Sequence, residues 1–333
     1  MRRILLSQGG GGEETWKLIK DVFLKHFSNE HIEKLEDATL LEIDSKIAFT
    51  TDSFTVNPLF FKGGNIGKLA VAGTVNDLAV MGAKPLYMSV GFIIEEGFPY
   101  DDLERIVVSM KEEAKASDVM VVAGDTKVVP KGAADGIFIN TAGIGKVLYE
   151  GLSCRNIKEG DIIIVSGGIG EHGACILSQR EGIYMDIELE SDCRSLWNLV
   201  KSIISSNVEI HAMRDPTRGG LSAVLHEWAR SSHVSFLVEE ESIPVKEPVL
   251  GLCDLLGLEP YHLASEGRLV IAVPGKEAKR ILEIIKAHPD GKDAQIIGRA
   301  IPAEGQPKVI LKTSYGTHRV LDPPAGELLP RIC

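Results

Sequence analysis

Four acidic segments and one thiol are the groups in this chain whose types and settings can do chemistry. The acids stand in Thr51-Asp52-Ser53, Asn76-Asp77, Gly124-Asp125-Thr126-Lys127 and Arg214-Asp215-Pro216-Thr217-Arg218-Gly219-Gly220. Asp52 and Asp125 each follow a strand-like run, and both are expected in turns where a carboxylate emerges at a sheet's edge. Hard oxygen donors drawn from separate elements are how Mg2+ is held, with phosphate oxygens and water filling the other positions. Each aspartate taken singly reads better as a turn or helix cap. Four together in glycine-flanked settings favour a metal-phosphate site. The thiol is Cys333, which closes Pro330-Arg331-Ile332-Cys333. The preceding Asp322-Pro323-Pro324-Ala325-Gly326-Glu327 has the character of a linker. Extended, the stretch from Asp322 to Cys333 spans up to about 40 Å, enough to carry a thiol across a domain. A frayed terminus is the plain alternative.

The elements that must position these groups can be read from periodicity. Strands are expected over 46–51, 86–94, 119–123 and 137–144, with helices over 13–27, 64–81 and 101–117. A polar stretch with two glycines, 151–160, marks a boundary. A second unit then opens on the apolar run Asp161-Ile162-Ile163-Ile164-Val165. It continues with helices over 171–180, 196–204, 220–231 and 277–287, and strands over 235–238, 268–273, 295–300, 309–312 and 318–321. The alternation gives an α/β (α+β) class with two domains, residues 1–150 and 151–321, and a mobile tail, 322–333. Ser166-Gly167-Gly168-Ile169-Gly170 follows a strand but lacks the full dinucleotide fingerprint, and reads better as a tight strand-to-helix connection. No GxxxxGK[ST] run is present, so the chain is not a P-loop protein.

With 333 residues there is length for two cores, and a net charge of -11 argues against nucleic acid as a partner. No apolar run reaches membrane-spanning length, and the N-terminus turns glycine-rich too soon for a signal peptide. The cysteines at 154, 175, 193, 253 and 333 form no CxxC pair, which points away from zinc knuckles and disulfide frameworks and towards a cytoplasmic protein with reduced thiols. Cys175 and Cys253 read as small buried hydrophobes, and Trp228 as core. His172, His211 and His262 lack ligand spacing and read as surface or structural residues.

The run Thr51-Asp52-Ser53-Phe54 to Gly64-Asn65-Ile66-Gly67, followed by Gly73-Thr74-Val75-Asn76-Asp77-Leu78-Ala79-Val80-Met81-Gly82-Ala83-Lys84-Pro85, resembles the ATP-binding core of the aminoimidazole ribonucleotide synthetase superfamily. Gly124-Asp125-Thr126-Lys127 and Asp215-Pro216-Thr217-Arg218-Gly219-Gly220 fall in the same order. The terminal Pro-Arg-Ile-Cys narrows the resemblance to the superfamily's hydrogenase-maturation family of carbamoyl dehydratases, across essentially the whole chain.

That resemblance implies a carbamoyl group carried on Cys333 and dehydrated with ATP to a thiocyanate, whose cyano group goes to the iron of a [NiFe]-hydrogenase centre. It implies Asp52, Asp77, Asp125 and Asp215 as Mg2+ and nucleotide-phosphate residues, with Asn76, Gly124 and Thr126 beside them. Gly9, Gly10, Gly11 and Gly12 would close over the nucleotide. Glu266 would be the general base, against a plain role as a strand cap. Lys127 would orient the carboxamide or offset phosphate charge, against a solvated strand end. Arg218 would meet phosphate or a carboxylate. The resemblance further implies a homodimer whose N-terminal domains close a β-barrel, the carbamoyltransferase HypF as donor and a HypC–HypD complex as acceptor. A sister enzyme phosphorylating a small free substrate, or a non-enzymatic ATP-binding scaffold, are the competing readings. Cys333 argues against the first, Glu266 and Lys127 against the second.

Overall fold

The computed structural model describes residues 3–9, 13–31, 33, 43–180, 189–324 and 331–333. Its first sheet is built from β1 (Ile47–Phe54), β2 (Ala83–Glu95), β3 (Met120–Val129) and β4 (Ile137–Val147), in the order β1-β4-β2-β3. Only β2 and β3 run parallel. Helices α1 (Ile66–Val80) and α2 (Tyr100–Ala116) connect them.

Register decides what each face of this sheet carries. Asp52 pairs with Thr141, Thr141 with Val90 and Val90 with Gly124, so this row looks towards α1. The neighbouring row, Ser53–Asn140–Gly91–Asp125, looks the other way, because successive side chains alternate. Among the described residues nothing covers Phe49 on that second face, where it stays 67% exposed.

α1 is apolar or small almost throughout and is buried on nearly every side. Its start is fixed by Asn65, whose side-chain oxygen accepts from the amides of Gly67 (2.9 Å) and Lys68 (3.1 Å). Gly67 lets the helix approach α2: a Cβ there would lie 2.4 Å from the Ile106 carbonyl oxygen. Truncating Leu69 or Leu78, both buried, costs about 2–5 kcal/mol in such a setting.

The second unit is a seven-stranded sheet of β5 (Ile162–Val165), β6 (Ala212–Arg214), β7 (Val234–Glu239), β8 (Val270–Val273), β9 (Gln295–Pro302), β10 (Val309–Lys312) and β11 (His318–Val320). Its order is β11-β10-β7-β9-β5-β8-β6, antiparallel except for β7 with β10. Helices α3 (Glu171–Arg180), α4 (Trp197–Ile204), α5 (Gly220–Ser232), α6 (Glu247–Leu256) and α7 (Ala278–Ala287) pack on it. Ile164 and Ile271 face a large core continuous with α1 and α2, whereas Ile163 and Val270 face a second core around Trp228. The two units therefore share one interior.

Three expectations change. Asp52 and Asp125 are not in turns, because ladder pairing carries β1 on to Phe54 and β3 on to Val129. α6 is absent from the expected helices although Val249, Leu252, Cys253 and Leu256 recur at helical spacing; Pro248 is tolerated in its first turn and Gly257, at φ +66°, ends it. The segment expected as one helix over 13–27 contains a π-helical stretch, Ile19–Leu24.

Candidate functional site

The edge of β1, the last turns of α1 and two loops of the second unit meet at a pocket of carboxylates. Asp52 projects from β1, with Thr74 3.4 Å away and positioned to donate to it. Asp77 lies nearby on α1 and accepts from Thr50 at 2.6 Å. Asp215, just after β6, and Glu266, just before β8, come from the second unit. Their loops are tied together by the Ser265 amide, which donates to the Pro216 carbonyl at 2.9 Å. Gly220 permits this closeness: at φ +61° its Cβ would stand 2.5 Å from the carbonyl oxygens of Tyr261 and Leu263.

These acids are costly where they stand. Burial, then the neighbouring Asp77, raises Asp52 to about 6. Burial and Asp77 likewise raise Asp215 to about 7. Glu266 is 1% exposed and pushed well above the carboxylate range by burial, then by Asp215 and Asp192. Its Oε1 has no hydrogen-bond partner among the described residues. A buried polar atom left unpaired costs about 1–3 kcal/mol.

Cys333 is docked into this pocket rather than frayed. Its carbonyl oxygen accepts from the Thr55 amide (2.9 Å) and hydroxyl (3.2 Å), and the Asn57 amide donates to the Arg331 carbonyl at 3.2 Å. The tail thus lies along the residues that follow β1, with Arg331 turned into the left-handed region at φ +52°. Arg331 returns a bond to the Thr55 carbonyl at 2.8 Å and pairs with Asp135. Ile332 is 4% exposed. Burial, then Glu266, raises the Cys333 thiol to about 12, with Arg218 opposing. The docked sulfur is therefore a neutral thiol. The root of the tail is held on α5, where Ser222 donates to the Asp322 carbonyl (3.0 Å) and His226 bonds that of Leu321 (3.0 Å).

Asp52, Asp77, Asp215, Glu266 and Cys333 are thus brought together, with Arg218 as the nearby cation. Asp125, implied as a fourth metal residue, is not. β1 and β3 are opposite edges of the sheet, roughly 14 Å apart by strand spacing, and Asp125 projects from the open face. There it pairs with Lys127 at 3.0 Å, which lowers its pKa. Lys127 is therefore separated from Glu266 within one chain. Gly124 and Thr126 do share the face of Asp52.

The side chain of Asn76 is engaged within the protein. Its amide donates to the Arg194 and Glu266 carbonyls, each at 3.1 Å, and its oxygen accepts from the Leu196 amide at 2.7 Å. It clamps the two units together. Gly9 closes a short 3-10 turn, Leu6–Gly9, while Gly10, Gly11 and Gly12 lie outside the described residues. The turn of Gly167 and Gly168 is filled from within by Arg268, which donates to Gly168 (2.9 Å) and to Glu171 (2.9 Å), so it cradles no phosphate.

Sequence reasoning missed Asp192. Its carboxylate accepts from the amides of Glu266 and Gly267, each at 3.2 Å, fixing the Glu266 loop. No local spacing signals a contact across 74 residues. Among the described residues no three histidine, cysteine or carboxylate side chains converge closely enough to form a ready metal site, and that includes the acids implied as Mg2+ residues. His172 is fully buried rather than at the surface, and His211 is held by Asp161 at 2.6 Å.

Comparison with known proteins agrees with this geometry. The N-terminal domain of AIR synthase related proteins matches residues 35–147, and their C-terminal domain matches 158–310. The Rhodobacter capsulatus carbamoyl dehydratase HypE is 45% identical over 336 residues, 99% of this chain and 98% of that protein. A crystal structure of the hydrogenase maturation protein HypE with ATP superposes with a TM-score of 0.95 at 43% identity, covering 99% of each chain. A chain of a HypE–HypF complex is 50% identical, with 92% of this chain and 99% of that one covered and a TM-score of 0.81. A thiamine monophosphate kinase-type structure, AaThiL with AMPPCP and TMP, shares the fold alone, at 20% identity, a TM-score of 0.63 and coverage of 88% and 92%. Fold and site define a two-domain AIR synthase related enzyme. Within that class the chain belongs to the HypE family of carbamoyl dehydratases, the ATP-dependent enzymes of hydrogenase maturation.

Proposed function

We propose that Cys333 carries the substrate itself, as an S-carboxamide that is dehydrated to a thiocyanate while the tail is docked. The observation that carries this reading is the thiol lying in the same pocket as the unpartnered, buried carboxyl of Glu266. Loss of the amide oxygen as hydroxide is prohibitive, whereas transfer of the γ-phosphoryl group of ATP to that oxygen makes phosphate the leaving group. One N–H proton goes to Glu266 as the C=N bond forms. Loss of the second proton with departure of phosphate completes the C≡N bond. The balance is carboxamide plus ATP to thiocyanate, ADP and phosphate. Burial makes Glu266 a stronger proton acceptor once ionised, which suits abstraction from a weakly acidic N–H.

Asp52, Asp77 and Asp215 fit Mg2+ by donor type and by their excess of negative charge over the single Arg218. They form no closed cage, as expected of an ion that keeps waters and substrate phosphates in its shell. Mg2+ there would offset charge on the transferring phosphoryl group.

HypF is proposed as the carbamoyl donor, supported by the solved HypE–HypF complex, and HypC–HypD as the iron-bearing acceptor of cyanide. Both encounters require the tail to swing outward, because the docked thiol is half-buried and faces the acid pocket. No described helix is long and apolar enough to cross a membrane, and we place the protein in the cytoplasm. Two copies would pair through the open face of the first sheet, where Ile47, Phe49, Ile93 and Met120 are exposed, and close a barrel. Lys127 would then act on the partner copy's substrate. A small free substrate is disfavoured because the chain's own tail fills the site.

Intact-protein mass spectrometry after treatment with the carbamoyltransferase, carbamoyl phosphate and Mg-ATP tests the proposal. Gain of one carbamoyl group and ATP-dependent loss of one water, both on the Cys333 peptide, are expected. ATP hydrolysis with an unmodified Cys333 would sink it.

A further inference from the structure

Beyond the acids, one buried polar group meets the docked tail directly. The imidazole of His172, on α3, is fully buried, and its Nε2 lies 2.8 Å from the carbonyl oxygen of Ile332. Its Nδ1 lies 2.7 Å from Ser191 Oγ. Phe61 packs against the ring edge-on at 5.4 Å. A carbonyl oxygen only accepts, so Nε2 carries the proton. Nδ1 is then bare in the neutral ring and accepts from the Ser191 hydroxyl. Ser191 is itself fixed, its amide donating to the Lys62 carbonyl (2.9 Å) and its oxygen accepting from the Cys193 amide (3.0 Å).

We propose that His172, held in one tautomer by Ser191, is the positioning residue that latches the tail by its Ile332 carbonyl and so sets the sulfur of Cys333 against Glu266. The proposal rests on the reading of Cys333 as substrate carrier. It adds a register device that the acid cluster does not supply. Thr55 and Asn57 pair with the tail through backbone amides at alternate residues, which fixes its direction. His172 grips the residue between them, through the Ile332 carbonyl that those two amides leave free. The next residue along, Asp192, holds the Glu266 loop, so residues 191 and 192 brace carrier and base from a single rigid step. A tail that leaves strands the Nε2–H in a buried site. That favours the docked arm roughly tenfold, since an unmet buried donor costs on the order of one factor of ten.

The test reads docking apart from chemistry. Full-length protein is exposed to iodoacetamide, and the alkylation rate of the Cys333 peptide is followed by mass spectrometry. Wild type is expected to react slowly, His172→Leu about tenfold faster, and His172→Gln close to wild type, because its Nε2–H can still reach the carbonyl. Single-turnover dehydration of carbamoylated His172→Leu should fall by a similar factor with the half-saturating Mg-ATP concentration unchanged. An unchanged alkylation rate in His172→Leu, or equal acceleration in the Leu and Gln variants, overturns the latch. Where His172→Leu fails to fold, Ser191→Ala decides, with faster alkylation expected and an unchanged rate overturning the proposal. Should wild type never dehydrate its carboxamide while these alkylation differences hold, the carrier reading fails and the latch stands.

Discussion

The two faces of the first sheet carry the same side chains under opposite physical conditions. Asp52, on the face towards α1, is buried among acids and its proton is held to about 6. Asp125, on the open face, is 67% exposed, pairs with Lys127 and is shifted the other way. Strand parity and the width of the four-stranded sheet separate them. The buried face therefore stores unfavourable charge that a cation and a nucleotide can relieve, while the open face offers charge to a second molecule. Each prediction below asks whether this division is as sharp as the geometry makes it.

Glu266→Gln is expected to have the largest effect. Single-turnover dehydration should fall by about 10³-fold, within the range for loss of a general base. The melting temperature should hold or rise, because the amide replaces a carboxyl that the apo protein already keeps protonated. A fall in both rate and stability would make Glu266 a structural residue.

Asn76→Ala should behave in the opposite way. Removing this amide leaves the Leu196 N–H and the Arg194 carbonyl without partners at the join between the units, and the Glu266 carbonyl with only the 3.4 Å bond from the Arg194 amide. A loss of about 2–4 kcal/mol is expected, readable by urea denaturation. A loss below about 0.5 kcal/mol would show that water or a shifted loop replaces the clamp.

How much of this was legible beforehand differs by residue. The apolar runs that became β1, β2, β4 and α1 were plain, because each buries a face with its own period. Asp52, Asp77, Asp215 and Cys333 stood out by their motifs and Glu266 by the family resemblance, and the fold brings these five together. The grouping of Asp125 with them was not right for one chain, since a motif records order and not the face a strand presents. Asn76 was drawn into the nucleotide site by its neighbour Asp77, although one step along a helix turns a side chain by about 100°. Asp192, Ser191 and His172 act through contacts between residues far apart in sequence, for which no spacing rule exists.

Protonation sharpens the comparison further. Asp52 and Asp215 have folded pKa values near 6 and 7, above the roughly 3.9 of an unfolded aspartate. Between about pH 4 and 7 the folded apo protein therefore holds more protons than the unfolded chain. Their contribution to stability is complete below that window and is lost as pH rises through it. In EDTA, Asp215→Asn should raise the melting temperature by about 4 °C at pH 7.5 and flatten its decline between pH 5.5 and 8. Mg-ATP should bind more tightly as pH rises through 6 to 7, since it competes with those protons. A pH-independent apo melting temperature would refute the buried-charge account.

The smallest effect belongs to the open face. Lys127 and Asp125 are 62% and 67% exposed, and an ion pair in that setting is worth about 0–1 kcal/mol. Lys127→Ala should therefore shift the melting temperature of the apo protein by less than about 1 °C, unlike any change on the buried face. Its activity should nonetheless collapse if the amine serves a second copy. Mixing inactive Lys127→Ala with inactive Cys333→Ala then decides the matter. Mixed dimers would hold one site with an intact tail from the first protein facing an intact lysine from the second, and activity should return. Recovery would assign the open face a catalytic duty across the pair. No recovery, in mixtures shown by native mass spectrometry to exchange subunits, would confine Lys127 to its own chain, and the opposition between the two faces would then be one of burial alone.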